Sequence, residues 1–147
     1  MATFILTVLG TDRPGLVSAL SAPINDHGAS WERSQMSRLA GKFAGIVLVT
    51  VADHRASALV AELEALDAEG LQVTLERTDE PATPESQELH LELLGDDHPG
   101  IVAEISSSLA ALDVSIEELS TDVRDAPMSG GTLFEAHAVL RAPLTTD

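Results

Sequence analysis

The chain has 147 residues, of which 44% are hydrophobic, and it carries 24 acidic against eight basic side chains for a formal net charge of −16. This charge repels the phosphate backbone of nucleic acids and anionic membrane surfaces, so we expect no direct binding to either. The absence of cysteine excludes disulfides, thiolate metal sites and cysteine nucleophiles. Because the N-terminus lacks a basic leader and no stretch is long enough to span a bilayer, we expect a soluble, cytoplasmic protein.

The first half of the chain predicts six elements in the order βαββαβ. Apolar patterns place a strand at 4–9, a helix after Pro14 that Gly28 ends, strands at 29–39 and 43–51, a helix that Gly70 ends, and a strand at 71–75. Asp12 is a candidate cap for the first helix, and Pro14 suits its first turn. Two right-handed crossovers put both helices on one face of a four-stranded antiparallel sheet, which is a ferredoxin-like α+β fold.

The second half repeats this order but stops short. Residues 79–87 are acidic and contain two prolines, which predicts a linker between a first domain at 1–78 and a second at 88–147. After the linker the patterns predict a strand, a helix over 101–112, and a hairpin of strands at 114–124 and 132–141. The sequence shows no second helix or fourth strand here, so we expect a truncated module in which either the sequence given is cut short or another element fills the open edge.

The two halves contain the same eight-residue segment. Gly10–Val17 and Gly95–Val102 align without gaps at an offset of 85 positions, and five of the eight residues are identical. The register continues through pairs such as Glu32 and Glu117. We therefore interpret the chain as a duplication of one module.

The repeated segment is a candidate ligand site. Free N–H groups and the positive dipole end at the start of a helix favour a carboxylate, glycine permits close approach, and an aspartate can accept an ammonium group. The alternative is a purely structural turn in which aspartate caps the helix. The candidate ligand-binding residues are Thr11, Asp12, Arg13, Pro14, Gly15 and Asn25 in the first half, and Asp96, Asp97, His98, Pro99 and Gly100 in the second.

The two candidate sites differ in sequence. Arg13 and His98 occupy the same position of the repeat, and Asn25 corresponds to Ala110. We therefore expect two unequal sites, and any role of Asn25 belongs to the first module alone.

With its duplicated Asp-x-Pro-Gly turn and βαββαβ order, the chain resembles tandem ACT-domain proteins. Within them it is most similar to the glycine cleavage system transcriptional repressor group, which carries a Pro-x-Ser-Gly loop before an apolar strand in its second module. Here that loop is Pro127-Met128-Ser129-Gly130. The resemblance implies a regulatory protein that binds amino acids at the loop after the first strand and at interfaces between sheets.

Catalysis and cofactor binding have no support in the sequence. The five histidines form no HxxxH or HExxH pair, and there is no nucleophile elbow, Walker A loop or dinucleotide fingerprint, so we expect no metal, no cofactor and no enzyme activity. The leading hypothesis is a ligand sensor that acts on a protein partner or on its own assembly, with a homodimer expected, in the control of amino-acid metabolism. The alternative is a regulatory fragment of a larger amino-acid or one-carbon metabolic enzyme.

Overall fold

The computed structural model describes residues 1–79, 85–125 and 130–144. The chain divides into two compact units, Met1–Pro81 and Ala82–Asp147, called here the first and the second module. None of the helices in the described part of the chain has the length and apolar character needed to cross a membrane.

The first module has the predicted order of elements. They are β1 (Ala2–Thr11), α1 (Leu16–Asp26), β2 (Ser30–Leu39), β3 (Lys42–Val51), α2 (Asp53–Glu64) with a following 3₁₀ turn (Ala65–Glu69), and β4 (Leu71–Arg77). The strands form one sheet in the order β2-β3-β1-β4, and every neighbouring pair is antiparallel. This arrangement confirms the ferredoxin-like prediction.

The core of the first module lies between its helices and one face of its sheet. Alternate residues of β1, β3 and β4 point into it, which is the period expected of strands with one covered face. Its fully buried side chains are Leu6, Val8, Leu20, Val47, Val49, Val51, Leu59, Leu63 and Leu71. Both helices pack on this face of the sheet. The loops that join β1 to α1 and α1 to β2 are therefore anchored at both ends to packed elements.

The start of α1 differs from the prediction. The helix begins at Leu16, its N-cap is Gly15 in a left-handed conformation, and no side chain caps it. Pro14 lies in the preceding turn. The expectation that Asp12 caps the helix is therefore wrong, because the left-handed glycine turns the backbone after Asp12 and the carboxylate contacts Arg38 instead.

The second module has three strands and one helix among its described residues. They are β5 (Ser86–Asp96), α3 (Ile101–Ala111), β6 (Ser115–Asp125) and β7 (Thr132–Pro143), and the sheet order is β5-β7-β6. These elements follow the predicted order of a strand, a helix and a hairpin. β5 starts inside the stretch that the sequence assigned to the linker, and residues 80–84 of that stretch lie outside the described residues.

The core of the second module is small. Its buried residues are Val114, Phe134, Ala136, Ala138, Leu140 and Ala142, and one cluster of them has partly buried neighbours on β5, α3 and β6. No residue of α3 is buried. One helix covers less of a sheet than two, so apolar side chains on the helix side of the sheet, such as Leu119 (46% exposed), remain accessible.

The repeat extends to structural details. α1 and α3 have the same bounds at an offset of 85, and both edge strands carry a β-bulge at the same repeat position, Glu32 in β2 and Glu117 in β6. Each bulge glutamate accepts a hydrogen bond from the neighbouring strand. Thr50 of β3 donates to Glu32 (2.9 Å), and Arg141 of β7 donates to Glu117 (2.6 Å). The bond to Glu117 raises the pKa of the Arg141 guanidinium.

Candidate functional site

Both candidate loops have the same backbone frame. A strand ends, two irregular residues follow, and a Pro-Gly turn leads into the helix with the glycine left-handed (φ 88° at Gly15 and 84° at Gly100). The amide of Asp12 donates to Gly41 O, and that of Asp97 donates to Thr132 O (2.9 and 3.0 Å). Each loop is therefore fixed to the hairpin beside it by one equivalent hydrogen bond.

The helix N-terminus behind each loop is not capped by a side chain. Gly15 O and Gly100 O accept the first intrahelical bonds, from Ala19 N (2.9 Å) and Glu104 N (3.0 Å). The N–H groups of the first turn of any α-helix have no partner within the helix, and they carry the positive end of its dipole. Both loops thus present N–H donors that suit a carboxylate, but at the second loop Ile101 N already donates to His98 O (3.3 Å).

The first loop is surrounded by cationic side chains. Arg38 Nη1 lies 3.3 Å from Asp12 Oδ2, and Lys42 Nζ donates to Thr11 Oγ1 (3.2 Å). Arg13 Nη2 donates to the carbonyl of Glu69 (3.5 Å). Three of the eight basic residues of a strongly acidic chain therefore meet at this loop, beside a carboxylate that is 28% exposed.

The second loop has a different charge. His98 replaces Arg13, and its ring contacts Pro99 O through Nδ1 (3.1 Å) and Glu104 Oε2 through Nε2 (3.5 Å). Asp96 and Asp97 stand at the end of the strand. Val123 occupies the repeat position of Arg38, and Leu133 pairs with Asp96 in the ladder as Lys42 pairs with Thr11, so neither equivalent position carries a cation.

Arg38 and Lys42 were not foreseen as neighbours of the first loop. The signal for them was the short Ala40-Gly41 turn, because a two-residue hairpin places the residues that flank it at one end of the sheet. The pairing of Thr11 with Lys42 in the β1–β3 ladder then brings this end to the loop. Sequence patterns predict the strands but do not give the antiparallel register that makes this contact.

Asn25 is separated from the first loop. It lies in the last turn of α1, ten residues after Gly15, which corresponds to about 15 Å along a helix. It lines a hollow beside α1 and the start of β2, together with Val17, Ser21, Ile24, Ala29, Ser30 and Trp31. The structure therefore groups Thr11–Gly15 together and places Asn25 at the opposite end of the helix.

Two further expectations concern metals and the second hairpin. Across residues 1–79, 85–125 and 130–144 there is no group of three or more His, Asp or Glu side chains arranged to hold a metal ion.

Pro127, Met128 and Ser129 of the Pro-x-Ser-Gly loop lie outside the described residues. Gly130 adopts a left-handed conformation (φ 74°) just before β7.

Comparison with known proteins agrees with this architecture. The family model described as ACT domain matches residues 2–76. The glycine cleavage system transcriptional repressor of Escherichia coli K12 is 22% identical over 145 residues, which cover 97% of this chain and 76% of that protein.

Two solved structures cover both modules. The crystal structure of an unknown protein from Galdieria sulphuraria has 32% sequence identity and a TM-score of 0.85, over 97% of this chain and 82% of that chain. A crystal structure assigned to a glycine cleavage system transcriptional repressor has 17% identity and a TM-score of 0.72, over 97% of this chain and 81% of that chain. Both similarities therefore extend over residues of the first and the second module of this chain.

Proposed function

Because this chain belongs to the ACT domain family, we propose that it is a non-catalytic regulatory protein that binds an amino acid at one or both of its strand-to-helix loops. The candidate loops are Thr11–Gly15 and Asp96–Gly100, and neither needs a metal or a cofactor for this role. The single observation that supports the proposal best is that both helices begin on a left-handed glycine with no side-chain cap.

The chemistry of an amino acid suits the first loop best. Its carboxylate would accept hydrogen bonds from the first N–H groups of α1 and would be attracted by Arg38 and Lys42. Its ammonium group would pair with the carboxylate of Asp12, which is partly exposed and close to the same backbone. The second loop offers the helix N-terminus and two aspartates without the cations, so we expect it to bind the same ligand more weakly.

The regulatory output is proposed to run through protein association. The similarity to the glycine cleavage system transcriptional repressor supports a role in the control of amino-acid metabolism, exerted on a protein partner or through assembly as a homodimer. A net charge of −16 opposes contact with DNA and favours a basic protein surface. Ligand binding and association are then coupled equilibria, since a ligand that prefers one assembly state shifts the population toward it.

Thermal-shift measurements with each free amino acid, paired with size-exclusion chromatography of the same samples, test this proposal. We expect at least one amino acid to raise the melting temperature of the full chain. If no amino acid at millimolar concentration changes either the melting temperature or the elution volume, the sensing proposal is wrong.

Variants of the two loops identify which one responds. Asp12→Ala and Gly15→Leu should reduce the response of the first loop, and Asp97→Ala and Gly100→Leu should reduce that of the second. Each pair is the control for the other, and Asp67→Ala, on an exposed turn, is the control for loss of a carboxylate. A response that survives all four loop variants would show that the loops have a structural role only.

A further inference from the structure

The two sheets differ in which of their strands a helix covers. A helix that links two strands of one sheet packs over the strand that lies between them. In the first module α1 links β1 to β2 across β3, and α2 links β3 to β4 across β1, so both central strands are covered. In the second module α3 links β5 to β6 across β7, and the described residues supply no helix that crosses β5.

Burial follows this difference at equivalent positions. The helix-facing side chains of β1 are at most 9% exposed and are Phe4, Leu6 and Val8. Their repeat counterparts on β5, called here the β5 stripe, are Leu89, Leu91 and Leu93. Leu89 is 39% exposed, and the other two are only partly buried. Because the edge strands β2 and β6 are largely exposed in both modules, the strand that lacks a cover present in the first module is β5.

The cover of β1 shows what fits such a stripe. α2 contributes Ala56, Leu59 and Leu63 to the core that contains the helix-facing residues of β1. Spacings of three and four residues are those of one apolar helix face. Ala56 and Leu63 are seven positions apart, about 10 Å along a helix, and the β5 stripe extends over about 13 Å of strand. An apolar helix face of about two turns therefore matches the stripe in length.

Two close approaches between α1 and α2 show which side chains meet at the end of the first helix. His27 Nδ1 lies 3.3 Å from Glu62 Oε2. A Cβ added at Gly28 would lie 3.1 Å from Arg55 Nη1. The two residues just past α1 therefore face positions 62 and 55 of the covering helix.

The repeat counterparts of these two residues have different chemistry. Leu112, which is 62% exposed, stands at the position of His27, and the exposed Asp113 stands at that of Gly28. A leucine is complementary to an apolar residue, and an aspartate is complementary to a cation. A helix on the β5 stripe would therefore need an apolar side chain at position 62 and a basic one at position 55.

The helices of a second copy do not match this description. The apolar faces of α1 and α2 are already buried in the first module, and α2 carries Glu62 where an apolar residue is needed. α3 contains no basic residue. A net charge of −16 attracts a basic segment from elsewhere, so these features favour a separate partner.

We propose that the β5 stripe and Leu112 bind an amphipathic helix of a basic partner protein, which lies beside α3 as α2 lies beside α1. This helix has a basic residue at the position of Arg55 and apolar residues at the positions of Ala56, Leu59, Glu62 and Leu63. The inference rests on the protein partner named in the proposed function and gives it a surface, but it does not depend on which ligand the loops bind.

Fluorescence anisotropy of a labelled synthetic helix, titrated with the full chain, tests this docking site. The probe is the α2 segment, residues 53–66, with capped ends, with Glu62→Leu to contact Leu112 and with Glu64→Lys to make the peptide basic. We expect saturable binding at about 0.15 M salt, where exposed charges are largely screened. The same peptide with Leu59→Glu should bind about tenfold more weakly, because its apolar face is interrupted.

Substitutions on the two faces of β5 show where the probe binds. Leu89→Glu should weaken binding about tenfold, because it places a charge within the stripe. Leu94→Glu adds the same charge on the opposite face of the strand, at a residue that is 58% exposed, and should leave binding unchanged. Circular dichroism verifies that both variants are folded, and if Leu89→Glu is unfolded the charge exchange at Asp113 decides.

That exchange tests the contact at the end of α3. Asp113→Lys should weaken binding of the probe about two- to fivefold, as expected of an exposed ion pair, and a probe with Arg55→Glu should recover most of the loss with this variant. Asp122→Lys, on the edge strand β6, is the control for the change in net charge.

Failure of the probe to bind the wild-type chain, or equal losses in Leu89→Glu and Leu94→Glu, would overturn the docking site. Sedimentation equilibrium of the chain without peptide provides a last arm. A wild-type dimer that Leu89→Glu dissociates would identify a second copy as the occupant and overturn the partner helix. None of these results concerns ligand binding, which the thermal-shift measurement reports separately.

Discussion

Just past the ends of α1 and α3, equivalent residues share one backbone conformation but have different side chains. Gly28 follows α1 at φ 66°, and Asp113 follows α3 at φ 61°. In both places the next amide bonds the carbonyl five residues earlier, at Ile24 or Leu109, which is a Schellman motif. The second module therefore holds a non-glycine residue in a conformation that glycine adopts without strain.

Asp113→Gly should raise the free energy of unfolding by about 0.5–1 kcal/mol, because it relieves left-handed strain at a modest cost in backbone entropy. Urea unfolding followed by circular dichroism measures the change. Asp113→Ala removes the same carboxylate but keeps the strain, so it should give no gain. Equal stabilisation by both variants would attribute the effect to charge instead.

Arg38 separates a role in stability from a role in binding. Its ion pair with Asp12 is solvent-exposed, and pairs of this kind contribute about 0.2–1 kcal/mol or less. Arg38→Ala should therefore change the unfolding midpoint little, yet reduce the thermal shift produced by an amino acid at the first loop. Arg124→Ala, on the edge strand of the second module, is the control. An unchanged response in Arg38→Ala would remove the cation from the proposed site.

The described residues of the second module include no counterpart of β4, and this difference affects one pair of equivalent glycines. A Cβ added at Gly10 would lie 3.0 Å from Gly70 O and 3.1 Å from Leu71 Cδ1, because β4 packs beside β1. Among the described residues, nothing comes within 4 Å of a Cβ at Gly95, the equivalent position in β5.

Gly10→Ala should lower the free energy of unfolding by about 1–3 kcal/mol, as overpacking typically does, whereas Gly95→Ala should be close to neutral. Chemical denaturation of both variants tests this. A large loss in Gly95→Ala would mean that the outer side of β5 is covered in solution.

Elements with a clear period could be predicted from sequence, and details of register could not. The alternation at Leu71 and Val73 and the helical spacing of Leu16, Leu20 and Ile24 report burial directly, so strands and helices fell near their expected bounds. The bulge at Glu32 shifts the pairing by one residue without any change in composition.

Sequence patterns predict only part of the candidate site, because they do not give the register between strands. The duplicated Pro-Gly turns identify the loops, but the contact of Asp12 with Arg38 joins residues 26 positions apart and depends on how three strands align. The absence of a side-chain cap likewise follows from the left-handed glycine, which sequence alone does not distinguish from a capped start.

The excess of acidic side chains should make the stability of the whole chain sensitive to salt. Repulsion among charges for a net of −16 opposes compaction, and it is screened as the Debye length falls from about 30 Å at ~0.01 M to about 8 Å at ~0.15 M salt. We expect the melting temperature to rise over this range at neutral pH, as differential scanning calorimetry can measure. The rise should shrink toward the isoelectric point near pH 4.4, and a melting temperature that falls with salt at neutral pH would contradict this account.

Regulation by this molecule requires that its duplicated loops bind a ligand, since the helices and sheets otherwise provide only a scaffold. A ¹H–¹⁵N correlation spectrum of the full chain, titrated with each free amino acid, tests that requirement most directly. We predict saturable shifts of the amide signals of Gly15 and Leu16, with those of Gly100 and Ile101 moving at higher concentration or not at all. Spectra in which no amino acid moves either pair, or in which only amides remote from both loops respond, would contradict the proposed function.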